Sequence, residues 1–199
     1  MTTFSDLELD ERILEALTSE GYQTPTPVQA ETIPALMSGR DVMGIAQTGT
    51  GKTAAFALPI LHHLATEQPS HGRPIRALML TPTRELAAQI AERLRVYGRH
   101  LPLYSTVIFG GVGQSPQVKA LRRGVDILVA TPGRLIDVLT ISSGKVTNLR
   151  RVTYLVLDEA DRMFDMGFEQ QIAGVLRNVR PDRQVRSICT NLLTICSKF

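Results

Sequence analysis

Two short segments hold residues whose types and spacing can do chemistry together. In LVLDEADRM (155–163) an apolar run ends in Asp158 and Glu159, with Asp161 two residues further on. Carboxylates set so close repel one another unless a cation sits among them or water separates them. AQTGTGKT (46–53) offers the other half of such a site. Its glycines let successive backbone N–H groups curl toward phosphate oxygens, Lys52 reaches the β- and γ-phosphates, and the Thr53 hydroxyl ligates Mg²⁺. A strict phosphate-loop pattern has glycine where this chain has Ala46. Asp158 then serves as the carboxylate that holds the metal, delivered from a strand expected beside the loop strand, and Glu159 orients or deprotonates a water. The plainer alternatives are a Gly-rich turn capped by Thr and acids that cap the next helix, a role Asp161 alone suits. A turn has no need of GKT between a buried strand and a helix, so the phosphate loop is preferred.

The elements that must position these residues are legible as alternation. Continuous apolar runs recur at 41–46, 76–82, 104–110, 126–132 and 154–160, as expected of strands covered on both faces. TAAFALPILHHLA, RELAAQIAERLRVYG and GRLIDVLT between them repeat apolar residues at three and four. Strand–helix alternation predicts an α/β fold with a mainly parallel sheet sandwiched between helices. Two further helices come first, one over roughly 10–19, the other with Thr26 as N-cap, Pro27 at its first position and a stop near Gly39. In such a sheet, ligands bind outside the carboxyl ends of the strands, and every one of the five runs ends in a polar or Gly-rich segment there.

Bulk composition bounds the rest. With 199 residues, 43% hydrophobic and 21% charged, the chain is a globular domain rather than a disordered one. The net charge of +3 permits nucleic-acid binding without demanding it. Only four of the 22 cations are lysines, and Arg favours bidentate phosphate contacts. No stretch has the length of a membrane span and residues 1–10 do not read as a signal peptide, so an intracellular place is expected, cytoplasmic or, in a eukaryote, nuclear. Cys189 and Cys196 lack the spacing of a metal or disulfide framework. His62 and His63 read as surface residues of a helix.

Together, AQTGTGKT, PTRELA (82–87), the glycine pair 110–111, TPGR (131–134), DEAD (158–161) and GYQTPTPVQ (21–29) resemble the ordered motif set of the DEAD-box RNA helicases. The likeness covers residues 2–184 and implies the first of that family's two domains, a RecA-like P-loop NTPase unit with its Q motif at 21–29. It implies ATP and Mg²⁺ as ligands, with Lys52, Asp158 and Glu159 catalytic and Thr53 and Asp158 on the metal. Thr48, Gly49, Thr50 and Gly51 would wrap the phosphates, and Gln29 would read the adenine edge with Tyr22 stacked on the base. Phe4, 17 residues ahead of Gly21, stands where the family places an aromatic. On the residues alone Gln29 reads equally well as half of a capping box with Thr26.

The resemblance also implies an RNA strand held by its sugar–phosphate backbone, without sequence choice, by Pro82, Thr83, Arg84, Gly110, Gly111, Thr131, Pro132, Gly133 and Arg134. As alternatives, Thr83 and Thr131 are N-caps and the arginines solvated first-turn cations. KALRRG (119–124) reads as a solvated helix face.

Two departures stand out. After RPDRQ the family continues with a strand and a Ser-Ala-Thr motif, where this chain has VRSICTNLLTICSKF. Residues 185–199 are therefore expected to be a divergent tail, native, frameshifted or engineered, though apolar enough to supply a strand. The first half also looks like bacterial RhlE-type members, whereas 144–169 looks like eukaryotic splicing-associated ones, as in a recombined or engineered chain. Nothing here resembles the second RecA-like domain, which would supply arginine fingers. The chain alone is expected to bind nucleotide weakly, hydrolyse it poorly and unwind nothing. Two other readings stay open: a non-catalytic nucleotide- or RNA-binding fragment, and an ATPase of other purpose such as a DNA translocase.

Overall fold

The computed structural model describes residues 2–47, 49–67, 72–141, 146–179 and 184–189, with the backbone alone for 141 and 184–189. A 3-10 turn at Phe4–Leu7 leads into α1 (Glu11–Ser19) and α2 (Pro27–Met37). Strands and helices then alternate: β1 (Val42–Ile45), α3 (Lys52–Thr66), β2 (Ala77–Leu80), α4 (Arg84–Tyr97), β3 (Ser105–Ile108), α5 (Gln114–Arg122), β4 (Ile127–Ala130) and α6 (Pro132–Ile141). They end with β5 (Tyr154–Asp158), α7 (Ala160–Asp165), α8 (Glu169–Leu176) and β6 (Gln184–Cys189). The five expected strands and the first two helices are all present. Asp10 caps α1, accepting from Arg12 N at 3.0 Å.

All six strands run parallel in the order β1-β6-β5-β2-β4-β3. This is the α/β sandwich of a RecA-like domain, and its two cores follow from strand alternation. Ala77 and Met79 of β2, Ile127 and Val129 of β4, and Tyr154 and Val156 of β5 pack with α1 to α4. Leu78 and Leu80, Leu128 and Ala130, and Leu155 and Leu157 pack on the other face with α5 to α8.

Three readings need correction. Burial on both faces holds for β2, β4 and β5 but not for β1, where Met43 is 47% and Ile45 52% exposed. β1 and β3 are the sheet edges, and an apolar run alone does not tell an edge from a centre. The tail supplies β6, which inserts between β1 and β5, so the Asp158 strand is not beside the phosphate-loop strand. Chain order does not dictate strand order. Finally, His62 and His63 are half-buried, and His63 stacks on the Tyr154 ring with centroids 5.7 Å apart and planes 5° off parallel.

At the amino end of the sheet, Asp126 (2% exposed) receives Arg76 Nη2 at 2.8 Å and Tyr104 N at 3.0 Å, with Arg73 Nη1 3.6 Å away. Arg76 also donates to the carbonyls of Leu64 and Glu67. One buried carboxylate thereby ties β2, β4 and the approach to β3 together, both of its oxygens paired, while Arg76 Nε has no partner among the described residues.

Candidate nucleotide and nucleic-acid site

The carboxyl end of the sheet is built differently. β1 runs out at Ile45 into the phosphate loop, whose Thr48 lies outside the described residues. Gly49 and Gly51 take positive φ (85° and 87°), a region that costs residues with a Cβ about 1–2 kcal/mol. Gly51 has a second reason to be glycine: a Cβ there would stand 2.3 Å from Gln29 Nε2. Thr50 closes the loop on itself, its hydroxyl donating to Gln47 O at 2.7 Å. The start of α2 grips the same loop from outside. Thr26 Oγ1 donates to Thr50 O at 2.8 Å, and Gln29 Nε2 to Gly51 O at 3.1 Å. Gln29 Oε1 meanwhile accepts from Thr26 N at 2.9 Å, the capping half of the two readings of this residue. At 1% exposure, Gln29 joins the helix start to the loop.

Lys52 opens α3, only 8% exposed, and its Nζ has no hydrogen-bond partner among the described residues. Thr53 follows at the second helical position, half-buried. Asp158, the last residue of β5, is 4% exposed, and among the described residues its Oδ1 has no partner either. Burial pushes the Asp158 carboxyl up to about 6, Lys52 works against that rise, and the charges of Glu159 and Asp161 add to it. Glu159 takes positive φ (52°), a strained conformation for a residue with a side chain. Its carboxylate, largely buried, accepts from Arg162 Nη1 at 3.1 Å. Asp161 sits in the first turn of α7. Two buried opposite charges that leave each other unpaired are costly, and each would be answered by a ligand carrying phosphate and a divalent cation. The donor set fits Mg²⁺, which takes one or two carboxylates plus phosphates and water rather than an all-protein cage.

The other expected residues fall at the ends of β2, β4 and β3, which are neighbours in the sheet. Thr83 is the N-cap of α4, accepting from Leu86 N at 3.3 Å. Arg84 is exposed and pairs with Glu85 at 2.7 Å, with Nη1 3.4 Å from where a Gly111 Cβ would lie. Arg134 reaches across from α6 and donates through Nη2 to Val112 O at 3.0 Å. Its Nη1 is buried without a partner among the described residues. Pro82, Thr131 and Pro132 are buried and shape their turns, whereas Gly110 and Gly111 are exposed and Gly133 is half-buried. The three segments of this group thus converge on one half of the sheet's edge.

Phe4 and Tyr22 sit apart from this edge. Phe4 is 3% exposed and meets Tyr22 edge-on at 6.2 Å, and Tyr22 meets Tyr97 edge-on at 6.0 Å. Among the described residues no hydrogen bond or ring contact joins either to the phosphate loop. Residues the motifs did not announce are Arg162, which holds Glu159, and Gln117, whose side chain braces the loop after β3. A cation three residues after an acid on a helix was a usable signal for the first; for the second there was none.

A sequence model described as DEAD/DEAH box helicase matches residues 26–192. The probable ATP-dependent RNA helicase DDX46 of Homo sapiens is 53% identical over 174 residues, which is 87% of this chain and 17% of that protein. The pre-mRNA-processing ATP-dependent RNA helicase PRP5 of Mycosarcoma maydis is 51% identical over 187 residues, 92% of this chain and 16% of the relative. DEAD-box ATP-dependent RNA helicase 45 of Arabidopsis thaliana is 51% identical over 178 residues, 88% and 18%. The chain therefore spans about a sixth of the length of these relatives. The same relatives run through most of the chain, so they lend no support to a separate RhlE-type kinship of its first half. With its phosphate loop, its DEAD segment and a match over residues 26–192, this chain belongs to the DEAD/DEAH box helicase family.

Proposed function

We propose that the chain is the ATP-binding half of an RNA helicase, coupling ATP binding and hydrolysis to the remodelling of RNA duplexes in a longer protein. The observation that carries this reading is the pair of buried charges, Lys52 Nζ and Asp158 Oδ1, unpartnered among the described residues at the carboxyl edge of one sheet. Lys52 holds the β- and γ-phosphates, while Thr53 and Asp158 hold the metal. Mg²⁺, when bound, neutralises charge developing on the transferred phosphoryl group. Glu159, held by Arg162, orients the attacking water, and the loop amides about Thr48, Gly49, Thr50 and Gly51 cradle the phosphates. Gln29 keeps a second amide hydrogen and a second lone pair for the adenine edge, with Tyr22 stacked on the base and Phe4 packed edge-on against Tyr22.

Thr83, Arg84, Gly110, Gly111, Gly133 and Arg134 offer donors to a sugar–phosphate backbone, set by the turns at Pro82, Thr131 and Pro132. RNA is preferred over DNA where the 2′-OH is read. The relatives' names extend the proposal to pre-mRNA and hence to the nucleus of a eukaryote. The rest of the ATP cleft and RNA groove comes from a second RecA-like domain, whose arginine contributes on the order of 10³–10⁵ in rate in related transfers.

The test is a titration of fluorescent ADP into the chain, with Mg²⁺ and with EDTA, followed by steady-state ATP hydrolysis with and without single-stranded RNA. Metal-dependent binding with little turnover is expected. Failure to bind nucleotide sinks the reading. Turnover that RNA stimulates and Glu159→Gln abolishes would show that this chain needs no second domain, whereas binding without turnover fits a nucleotide-binding module. Competition between RNA and DNA separates the helicase reading from that of a DNA translocase.

A further inference from the structure

We infer that Gln117 is a positioning residue for RNA, holding the loop 109–113 in the shape that presents its backbone donors. This rests on the reading of the β2–β4–β3 edge as an RNA surface. Gln117 lies one turn into α5 and points back at the loop that precedes its own helix. Its Oε1 accepts from Phe109 N at 3.0 Å, and its Nε2 donates to Phe109 O at 3.2 Å and Gly113 O at 3.3 Å. One side-chain amide thus satisfies the first residue of the loop on both its backbone groups and the last residue on one. The need of Phe109 N for an acceptor settles which way the amide faces. Arg134 holds the middle of the same loop through Val112 O at 3.0 Å.

What these contacts hold in place is a row of free donors. Gly110, Gly111 and Val112 are exposed, and their backbone N–H groups donate to no acceptor among the described residues. Gly111 has a φ of +79°, and successive N–H groups around such a residue form a concavity that suits an anion. Arg84 stands beside Gly111 and adds a cation to the same spot. Loop amides spend their freedom on one geometry only if something fixes both ends, and β3, as an edge strand, fixes only its own side. Gln117 supplies the other.

The experiment compares this chain with Gln117→Met, Gln117→Glu and Arg84→Ala in single-stranded RNA titrations, beside Mg–ADP affinity and the exchange rate of the Phe109 amide. Gln117→Met loses all three contacts and is expected to weaken RNA binding about tenfold, the order of one or two hydrogen bonds, with Mg–ADP affinity within about twofold of the parent. Gln117→Glu keeps an acceptor for Phe109 N but turns a carboxylate on two carbonyls. It should therefore lose RNA to a similar degree while the Phe109 amide stays protected, whereas in Gln117→Met that amide exchanges faster. RNA affinity unchanged in Gln117→Met while Arg84→Ala loses it would overturn the inference and leave the RNA reading standing. Loss of Mg–ADP binding along with RNA in both Gln117 variants would make Gln117 a general stability residue and overturn it too. A parent chain that binds no RNA overturns both.

Discussion

Two buried aspartates sit at opposite ends of one parallel sheet. Asp126, at the amino end, is 2% exposed, and each of its oxygens has a donor within hydrogen-bond distance. Asp158, at the carboxyl end, is 4% exposed, and its Oδ1 has no partner among the described residues. Burial and residue type are the same, so neither separates a clasp from a site. The separating fact is whether the protein itself answers the charge. At the amino end an arginine spends its guanidinium on the carboxylate and two carbonyls. At the carboxyl end Lys52 Nζ and Asp158 Oδ1 are both buried without a hydrogen-bond partner among the described residues.

The contrast can be broken by substitution, and the largest effect belongs to the clasp. Asp126→Ala leaves Arg76 buried and uncompensated, and should destabilise the fold by about 3–5 kcal/mol, read as a lowered midpoint in urea. If that variant is as stable as the parent, Asp126 is not the structural member of the pair. Next comes Lys52→Ala, which should weaken Mg–ADP by about a hundredfold, on the order of 3 kcal/mol, without lowering the urea midpoint. A destabilised but still nucleotide-binding variant would reverse the two roles.

The third test uses the sign of the Asp158 shift. Its carboxyl is held at about 6 against an ordinary 3.8, so between those values the folded chain binds more proton than the unfolded one. The stability this group contributes is full below the lower value and is lost as pH rises through the upper. Asp158→Asn should therefore raise stability in EDTA at pH 7.5 by on the order of 2 kcal/mol, and the gain should vanish near pH 4. A gain that ignores pH would locate its cause elsewhere. Smallest is Glu159→Gly, which relieves the positive φ and should stabilise by about 1 kcal/mol while removing hydrolysis in any form of the protein that turns over ATP.

Much of this is legible in the sequence, for reasons that are local. Apolar runs of four to six residues between helical periods mark parallel strands wherever both faces are covered, and β2, β4 and β5 obey. GKT after a buried run, and Asp-Glu after another, announce charge at strand ends. What could not be read is relational. No pattern in 184–189 says that its strand enters between β1 and β5, and nothing about the letter E says that Glu159 will take a left-handed backbone. Gln29 shows the middle case: its spacing from Thr26 predicted the cap correctly, but its second bond, to Gly51, joins segments 22 residues apart. Arg76 and Asp126 were also within reach, since each stands just before an apolar run. Opposite charges at matching ends of neighbouring strands pair only if the strands are neighbours.

The insertion of β6 has a consequence for how freely this part of the molecule can be rewritten. With one strand between them, β1 and β5 lie two strand spacings apart, about 9.6 Å. Main-chain hydrogen bonds set that gap, whatever side chains β6 carries. β6 is in effect a shim of fixed thickness, and a shim can change its material without moving the parts it separates. Any sequence that pairs with both neighbours there keeps the phosphate loop and Asp158 the same distance apart.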